Sequence, residues 1–383
     1  MLIQPFSFKL TRLSRLFVVL LISTCFIILI VNRTVDFKLY QTKLEHPVVY
    51  VNQPVSTING LTVILLWTDY YEDPTWGGLT EQILPCGCLI TRDRALLPQA
   101  SIVVFHWRTF DATDVPNKYL NQTWIWHHIE SPAYTKRIRL LQQFKEHIDC
   151  WASYRQDSDF VVDYGRYEEL DKPREVKKVS VSSKPKWIAW MVSNCGAKSG
   201  RDEFVRQLAN YIPVDIYGYC GTLRCSGYSH FRERECWEMI GKDYKYYLSF
   251  ENSICKDYFT EKVIEVLNQD LIPIVMGGAD YGKLVPNNSI IDSRKFGSPK
   301  YLAMFLRSLA TDEDRYNSYF QWKANYSAFL RIPTHYNEIF CEICTTIKNT
   351  NGNSCRGKRE DLIDWWFKDS CHNPWRFDQD TYL

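Results

Sequence analysis

Short apolar runs alternate along the chain with mixed, charged segments. The first three in the globular part are Leu61-Thr-Val-Ile-Leu-Leu-Trp67, Ser101-Ile-Val-Val-Phe-His-Trp107 and Thr123-Trp-Ile-Trp-His-His-Ile129. Near-continuous apolarity, rather than strict alternation, predicts strands covered on both faces, as in a parallel sheet with crossover helices. A second series follows: a strand over 187–192, a helix from Arg201, strands over 213–217 and 246–250, a helix over 257–269 and a strand over 271–275. In that last helix Phe259, Val263, Val266 and Leu267 form a stripe that would face the sheet. Further helices are expected over 299–309 and 315–329, and after Ile332 the chain reads as an irregular, cysteine-clamped tail. The predicted architecture is α/β, with two Rossmann-like domains over 61–172 and 187–345 facing a cleft. A charged, proline-punctuated linker over 173–186 joins them, and a tail covers 346–383.

The N-terminus changes the picture. Leu16 to Val31 is an uncharged apolar run, preceded by Lys9, Arg12 and Arg15. It is slightly short for a membrane span, but thin bilayers and snorkelling arginine accommodate it. A cytosolic tail over 1–15, a transmembrane signal anchor over 16–31 and a stem over 32–60 are expected, with the remainder luminal. A cleaved signal peptide is the rival, disfavoured by the lack of a small-x-small site after the run. The chain is formally +2. Residues 1–38 hold five basic and one acidic residue, so the remainder is −2, with no nucleic-acid footprint.

Of 13 cysteines, all but Cys25 lie in the expected luminal part, where disulfides are the default. Cys341-x-x-Cys344 with Cys355 and Cys371 is a weaker zinc alternative, lacking histidine at finger spacing. Sequons at Asn121, Asn287 and Asn325 suit a glycosylated luminal protein.

Chemistry concentrates at the ends of the apolar runs. Glu130 follows one such run and precedes Ser131-Pro132, which forces an extended turn. A carboxylate there sits at a cleft mouth, where a general base belongs; an ordinary surface glutamate is the alternative. Arg201 opens a helix after Ser193-Asn-Cys-Gly-Ala-Lys-Ser-Gly200, an arrangement suited to a diphosphate. Lys262 shares a helix face with Tyr258 and Glu261, beside the strand end Phe250-Glu251-Asn252. Asp157-Ser-Asp159, Asp312-Glu-Asp314 and Asp378-Gln-Asp380 match a loose metal pattern, too common to carry weight. His127 and His128 are adjacent in a strand and point to opposite faces, so they do not form a metal pair.

Together these segments resemble the animal α1,3-fucosyltransferases, glycosyltransferase family 10. The match lies in Phe250-Glu-Asn-Ser253, Asp257-Tyr-Phe-Thr-Glu-Lys262 and the following Ile-Pro-Ile-Val. It extends upstream to Glu130-Ser-Pro132, Ser153-Tyr-Arg-Gln-Asp-Ser-Asp159 and Trp190-Met-Val-Ser-Asn194, and downstream to Asp215-Ile-Tyr-Gly218, Tyr319-Phe-Gln-Trp322 and Cys341-x-x-Cys344. The resemblance implies a GT-B fold, a GDP-fucose donor, inversion, and no obligatory metal or other cofactor. It implies Glu130 as base, with Arg201 and Lys262 as diphosphate-binding cations. Asn252, Tyr258 and Glu261 would line the donor pocket and Glu251 would lie near the fucose, with Ser193, Asp215 and Tyr217 in donor-domain motifs. It also implies pairing of Cys86 and Cys88 with Cys341 and Cys344, a Golgi membrane location, and GlcNAc-containing glycan acceptors. Cys195 in its glycine-rich loop and the cysteine-dense Cys220 to Cys236 segment are closer to invertebrate members. Another GT-B nucleotide-sugar transferase, or a non-catalytic glycan-binding derivative, are the alternatives.

Overall fold

The computed structural model describes residues 47–55, 58–71, 73–79, 81–225, 234–332, 335–350, 355 and 362–372. The expected cytosolic tail, anchor and first part of the stem lie outside them. No described helix is long and apolar enough to cross a membrane.

Two parallel sheets organise the chain. The first runs in the order Gln82–Ile83, Cys88–Thr91, Thr62–Leu66, Ala100–His106, Thr123–His128, Cys150–Ser153, Phe160–Val161, with only its first edge strand antiparallel. The second runs Val214–Tyr217, Lys186–Met191, Tyr244–Phe250, Ile272–Met276, Ile291–Asp292, parallel throughout. In both, the chain starts inside the sheet, fills one side (two strands in the first sheet, one in the second), then crosses back and proceeds the other way. Such reversals open a crevice at the carboxyl ends of the central strands. The second falls between Met191 and Phe250, the first between Leu66 and His106. Tyr244–Phe250 is buried along its whole length, as a central strand covered on both faces must be.

Several expectations are corrected. The stem's last part is folded: Tyr50–Pro54 pairs in parallel with Lys118–Leu120. The helix expected over 315–329 breaks into Glu313–Ser318, a 3₁₀ turn and the strand Tyr326–Leu330, which pairs antiparallel with Gly165–Glu169. A Cβ at Gly165 would strike the Phe329 carbonyl, so this pairing requires glycine there. The linker is not free either, because Val179 and Val181 are buried in the second core and Asn317 bonds both the N–H and the C=O of Val179.

The tail differs most. Instead of an irregular clamp, it forms the helices Tyr336–Thr350 and Leu362–Phe367, and both pack into the core of the first sheet. The expected domain boundary at 345 therefore falls inside a helix of the first unit. Disulfides Cys86–Cys341 and Cys88–Cys344 fasten it, as the resemblance implied. Cys150–Cys355, Cys195–Cys220, Cys225–Cys236 and Cys255–Cys371 use the remaining cysteines of the expected luminal set, and so overturn the zinc alternative.

Candidate active site

Glu130 lies two residues past the strand Thr123–His128, and Ser131 is extended (φ −66°, ψ 158°) ahead of Pro132. That turn leaves the Glu130 side chain 18 % exposed at the seam between the two units. Its Oε1 accepts from the Tyr71 hydroxyl at 3.1 Å and its Oε2 from the Tyr258 hydroxyl at 3.4 Å. Arg108 Nη1 is 3.9 Å from Oε1. Across the seam, the hydroxyls of Ser131 and Ser253 bond at 2.7 Å and hold the two turns together.

The opposing wall is the carboxyl end of Tyr244–Phe250. Glu251 follows it, wholly buried, with Oε1 accepting from the Thr260 N–H at 2.9 Å and hydroxyl at 2.8 Å. Lys262 Nζ is 3.4 Å from Glu251 Oε2 and 3.1 Å from Glu261 Oε1, and it donates to the Thr260 hydroxyl at 2.7 Å. Burial raises the Glu251 pKa. Burial works to depress the Lys262 ammonium, yet Glu251 and Glu261 outweigh it and leave its pKa raised. Lys262 is therefore a fixed cation.

A cavity of about 240 Å³ separates the walls, lined by Tyr71, Glu130, Asn252, Tyr258, Glu261 and Lys262 among others. Five of the expected site residues thus meet in one place. Arg201 lies outside the cavity wall, 3 % exposed, donating to the carbonyls of Phe250 (2.7 Å) and Asn194 (3.0 Å). It braces the two loops of the crevice, and its Nε–H is buried with no hydrogen-bond partner among the described residues. Burial lowers its pKa, with Glu251 opposing.

Other expectations are relocated. Glu251 takes no place in the cavity wall; its oxygens serve Thr260 and Lys262. Ser193 is half-buried and also absent from the wall. Asp215 pairs level with Ala189, which pairs with Tyr247, three residues short of the strand end and thus about 10 Å below the crevice. Its carboxylate accepts from Tyr244 at 2.6 Å, and Tyr217 bonds the same phenol at 2.8 Å. Tyr217, level with Met191, stands at the carboxyl end of its strand, but neither residue lies in the cavity wall.

The Asp-x-Asp matches have structural roles. Asp157 is bound in bidentate fashion by Arg155 and joined by Lys256 at 3.0 Å, while Asp159 accepts the Trp151 N–H at 2.8 Å. Asp312 caps its helix through the Arg315 N–H, and Asp378 and Asp380 lie outside the described residues. Among the described residues, no group of three His, Cys, Asp or Glu is placed to hold a metal. His127 and His128 are both buried and face different neighbours, Tyr336 and Trp366.

Sequence reasoning missed Tyr71, Arg108 and Thr260. The first two lie in a turn and a 3₁₀ turn just after apolar strands, where a single sequence carries no periodic signal; Thr260 was legible as the residue before a helix opening on Glu261.

A cleft between two doubly wound units, holding a carboxylate on one side and fixed cations on the other, has the shape of a group-transfer enzyme with an anionic leaving group. Residues 59–165 match "Fucosyltransferase, N-terminal", and residues 181–365 match "Glycosyltransferase family 10 (fucosyltransferase) C-term". The chain is 36 % identical over 287 residues to glycoprotein 3-alpha-L-fucosyltransferase A of Drosophila melanogaster, covering 73 % of this chain but 54 % of that relative. It is 31 % identical to alpha-(1,3)-fucosyltransferase C of the same organism, over 82 % of this chain and 79 % of that one. The human 4-galactosyl-N-acetylglucosaminide 3-alpha-L-fucosyltransferase FUT6 is 30 % identical over 93 % of this chain and 95 % of its own length. Among solved structures, an alpha1,3-fucosyltransferase superposes with a TM-score of 0.50 at 15 % identity, covering 79 % of this chain and 93 % of that one, a likeness of fold. The chain belongs to glycosyltransferase family 10, the fucosyltransferases.

Proposed function

We propose that this enzyme transfers L-fucose from GDP-fucose, with inversion, to the 3-hydroxyl of a GlcNAc residue in glycoprotein N-glycans. One observation carries the reading: Glu130 and Lys262 share one cavity at the carboxyl ends of the two sheets.

In a single displacement, Glu130 takes the proton of the acceptor hydroxyl as its oxygen attacks fucose C1 from the side opposite the nucleotide. The bond from C1 to the diphosphate breaks, and GDP leaves as an anion. Negative charge then grows where Lys262 is fixed, beside loops that Arg201 braces through the carbonyls of Phe250 and Asn194. Such prearranged donors are each worth about 10²–10³ in rate. The leaving charge is met by protein cations, so the reading requires no divalent ion and no other cofactor.

The six disulfides, the apolar run at 16–31 and the exposed sequon residues Asn121, Asn287 and Asn325 support a type II Golgi membrane protein whose catalytic units are luminal and glycosylated. The deciding experiment is mass spectrometry of products from defined N-glycans and GDP-fucose. Glu130→Gln is expected to keep GDP binding while transfer falls at least about 10²-fold. Turnover near that of the unaltered enzyme would remove Glu130 from the chemistry.

A further inference from the structure

Tyr71 has a backbone that a bulky residue avoids. Its φ is +54°, in the left-handed region, where an aromatic residue is a strained outlier. Strain of this kind persists only where surroundings over-determine it, and here they do. The Tyr71 N–H donates to Nδ1 of His106 at 3.2 Å, and that nitrogen also lies 3.1 Å from the Thr109 hydroxyl. The ring meets Tyr70 edge-on at 4.8 Å and His106 at 4.9 Å, and the Arg108 guanidinium covers it at 5.0 Å. All of this fixes one atom, the phenol oxygen, 3.1 Å from Glu130 Oε1. Burial first, and Glu130 second, raise the Tyr71 pKa, so the phenol remains a proton donor at any working pH.

The two oxygens of Glu130 are therefore not equivalent. Oε1 carries Tyr71 and the nearby Arg108, both from the first unit. Among the described residues Oε2 carries only the 3.4 Å bond from Tyr258, which follows the strand Tyr244–Phe250 and lines the same cavity. A general base must offer one lone pair within about 2.6–3.2 Å of the proton it removes. A carboxylate free to rotate would spread its basicity over both oxygens and many angles.

Resting on the base role proposed above for Glu130, we propose that Tyr71 is a positioning residue for transfer: it locks Oε1 and thereby presents Oε2 to the acceptor hydroxyl, which displaces the long Tyr258 bond. The strained backbone is the means. Relaxing residue 71 to an ordinary conformation would swing the phenol off the carboxylate, so the His106 contact serves the site although the imidazole never meets substrate.

Tyr71→Phe removes one oxygen and keeps the ring packing, so the variant is expected to fold and melt like the unaltered enzyme. Its kcat for transfer is expected to fall at least about tenfold, since small misplacements of reacting groups cost up to about 10²-fold. KM for GDP-fucose and the Kd for GDP are expected to stay within about twofold. Tyr71→Ala, lacking the packing as well, is expected to lose stability in addition. A Phe variant with unchanged kcat would show a merely structural ring and overturn the proposal. So would a Phe variant whose whole loss lies in donor KM. An unaltered enzyme that transfers no fucose at all would instead defeat the functional reading, so the two failures are distinguishable.

Discussion

Lys262 and Glu251 are 3.4 Å apart, one 28 % exposed and the other wholly buried. This pair makes the simple alanine experiment ambiguous. Lys262→Ala deletes a cation from the cavity but also strands a buried carboxylate, and breaking a buried pair costs about 3–5 kcal/mol. Partial exposure of the lysine places the expected loss just under that range, about 2–3 kcal/mol. Glu251→Gln in the same chain removes the stranded charge and leaves an amide that still accepts from Thr260. The expected outcome is that Lys262→Ala loses both stability and transfer, the latter about 10²-fold or more. The double variant should recover most of the stability and none of the transfer. Denaturation midpoints and donor kinetics on the single and double variants check this. Joint recovery would mean that Lys262 only neutralises Glu251 and does not act on the diphosphate.

At the scale of elements, the helix Tyr336–Thr350 decides whether the first unit has a closed core. Tyr336, Ile339, Phe340, Ile343 and Ile347 are buried at three- and four-residue spacing. Phe340 lies 5.8 Å from Trp76, and Tyr336 lies 5.3 Å from Tyr70, the neighbour of Tyr71. Phe340→Ala is expected to cost about 3–5 kcal/mol, read as a lower denaturation midpoint with both disulfides of the helix intact. A loss below about 1 kcal/mol would mean that the cystines alone hold the helix. This stripe was legible in the sequence, but the cysteines at 341 and 344 suggested an irregular clamp and hid it. The seven strands carried by apolar runs were legible, whereas Tyr326–Leu330, expected as helix, and the short strands Cys150–Ser153 and Gly165–Glu169 were not; Glu130, Asn252, Tyr258, Glu261 and Lys262 meet at the cavity because they follow run ends. Asp215 could not be sorted that way: a motif gives its order along a strand but not its height in the sheet. Arg201 was legible as a helix opener, whereas its commitment to two loop carbonyls depends on tertiary packing. Tyr71 carried no signal because its role arises from a backbone angle.

Across the whole molecule the two units are strapped together at several points. The strands Gly165–Glu169 and Tyr326–Leu330 pair, the Cys255–Cys371 bridge ties the second unit to the returning tail, and Lys256 meets Asp157 at 3.0 Å. The first unit carries a cost in exchange for its aromatic core, namely His106, His127 and His128 buried without charge. Burial pushes His127 and His128 down to about 3 and His106 well below its ordinary value. Unfolded histidine titrates near 6.5, so between about pH 6.5 and 3 the unfolded chain binds protons that the native state refuses. The contribution is fully present above pH 6.5 and is lost as pH falls. Each histidine tilts the balance by up to about 1.4 kcal/mol per pH unit, about 4 kcal/mol for the three together. Glu251 works the other way, since its raised pKa makes the native state bind a proton as acid is added, but it is a single group. Asp157, held low by Arg155 and Lys256 against the effect of burial, adds its loss only below about pH 4. With typical domain stabilities of about 5–15 kcal/mol, the melting temperature is expected to fall steeply from pH 6.5 toward 4.5, before the carboxylates titrate. Thermal melts of the protein at half-unit steps from pH 7.5 to 4 would measure it. A flat profile down to pH 4.5 would mean that the imidazoles are reached by water or protonated in the native state. Phe replacing His127, whose ring nitrogens have no hydrogen-bond partner among the described residues, is expected to flatten the slope by about one third, because that ring gives up no bond when its proton sites are removed.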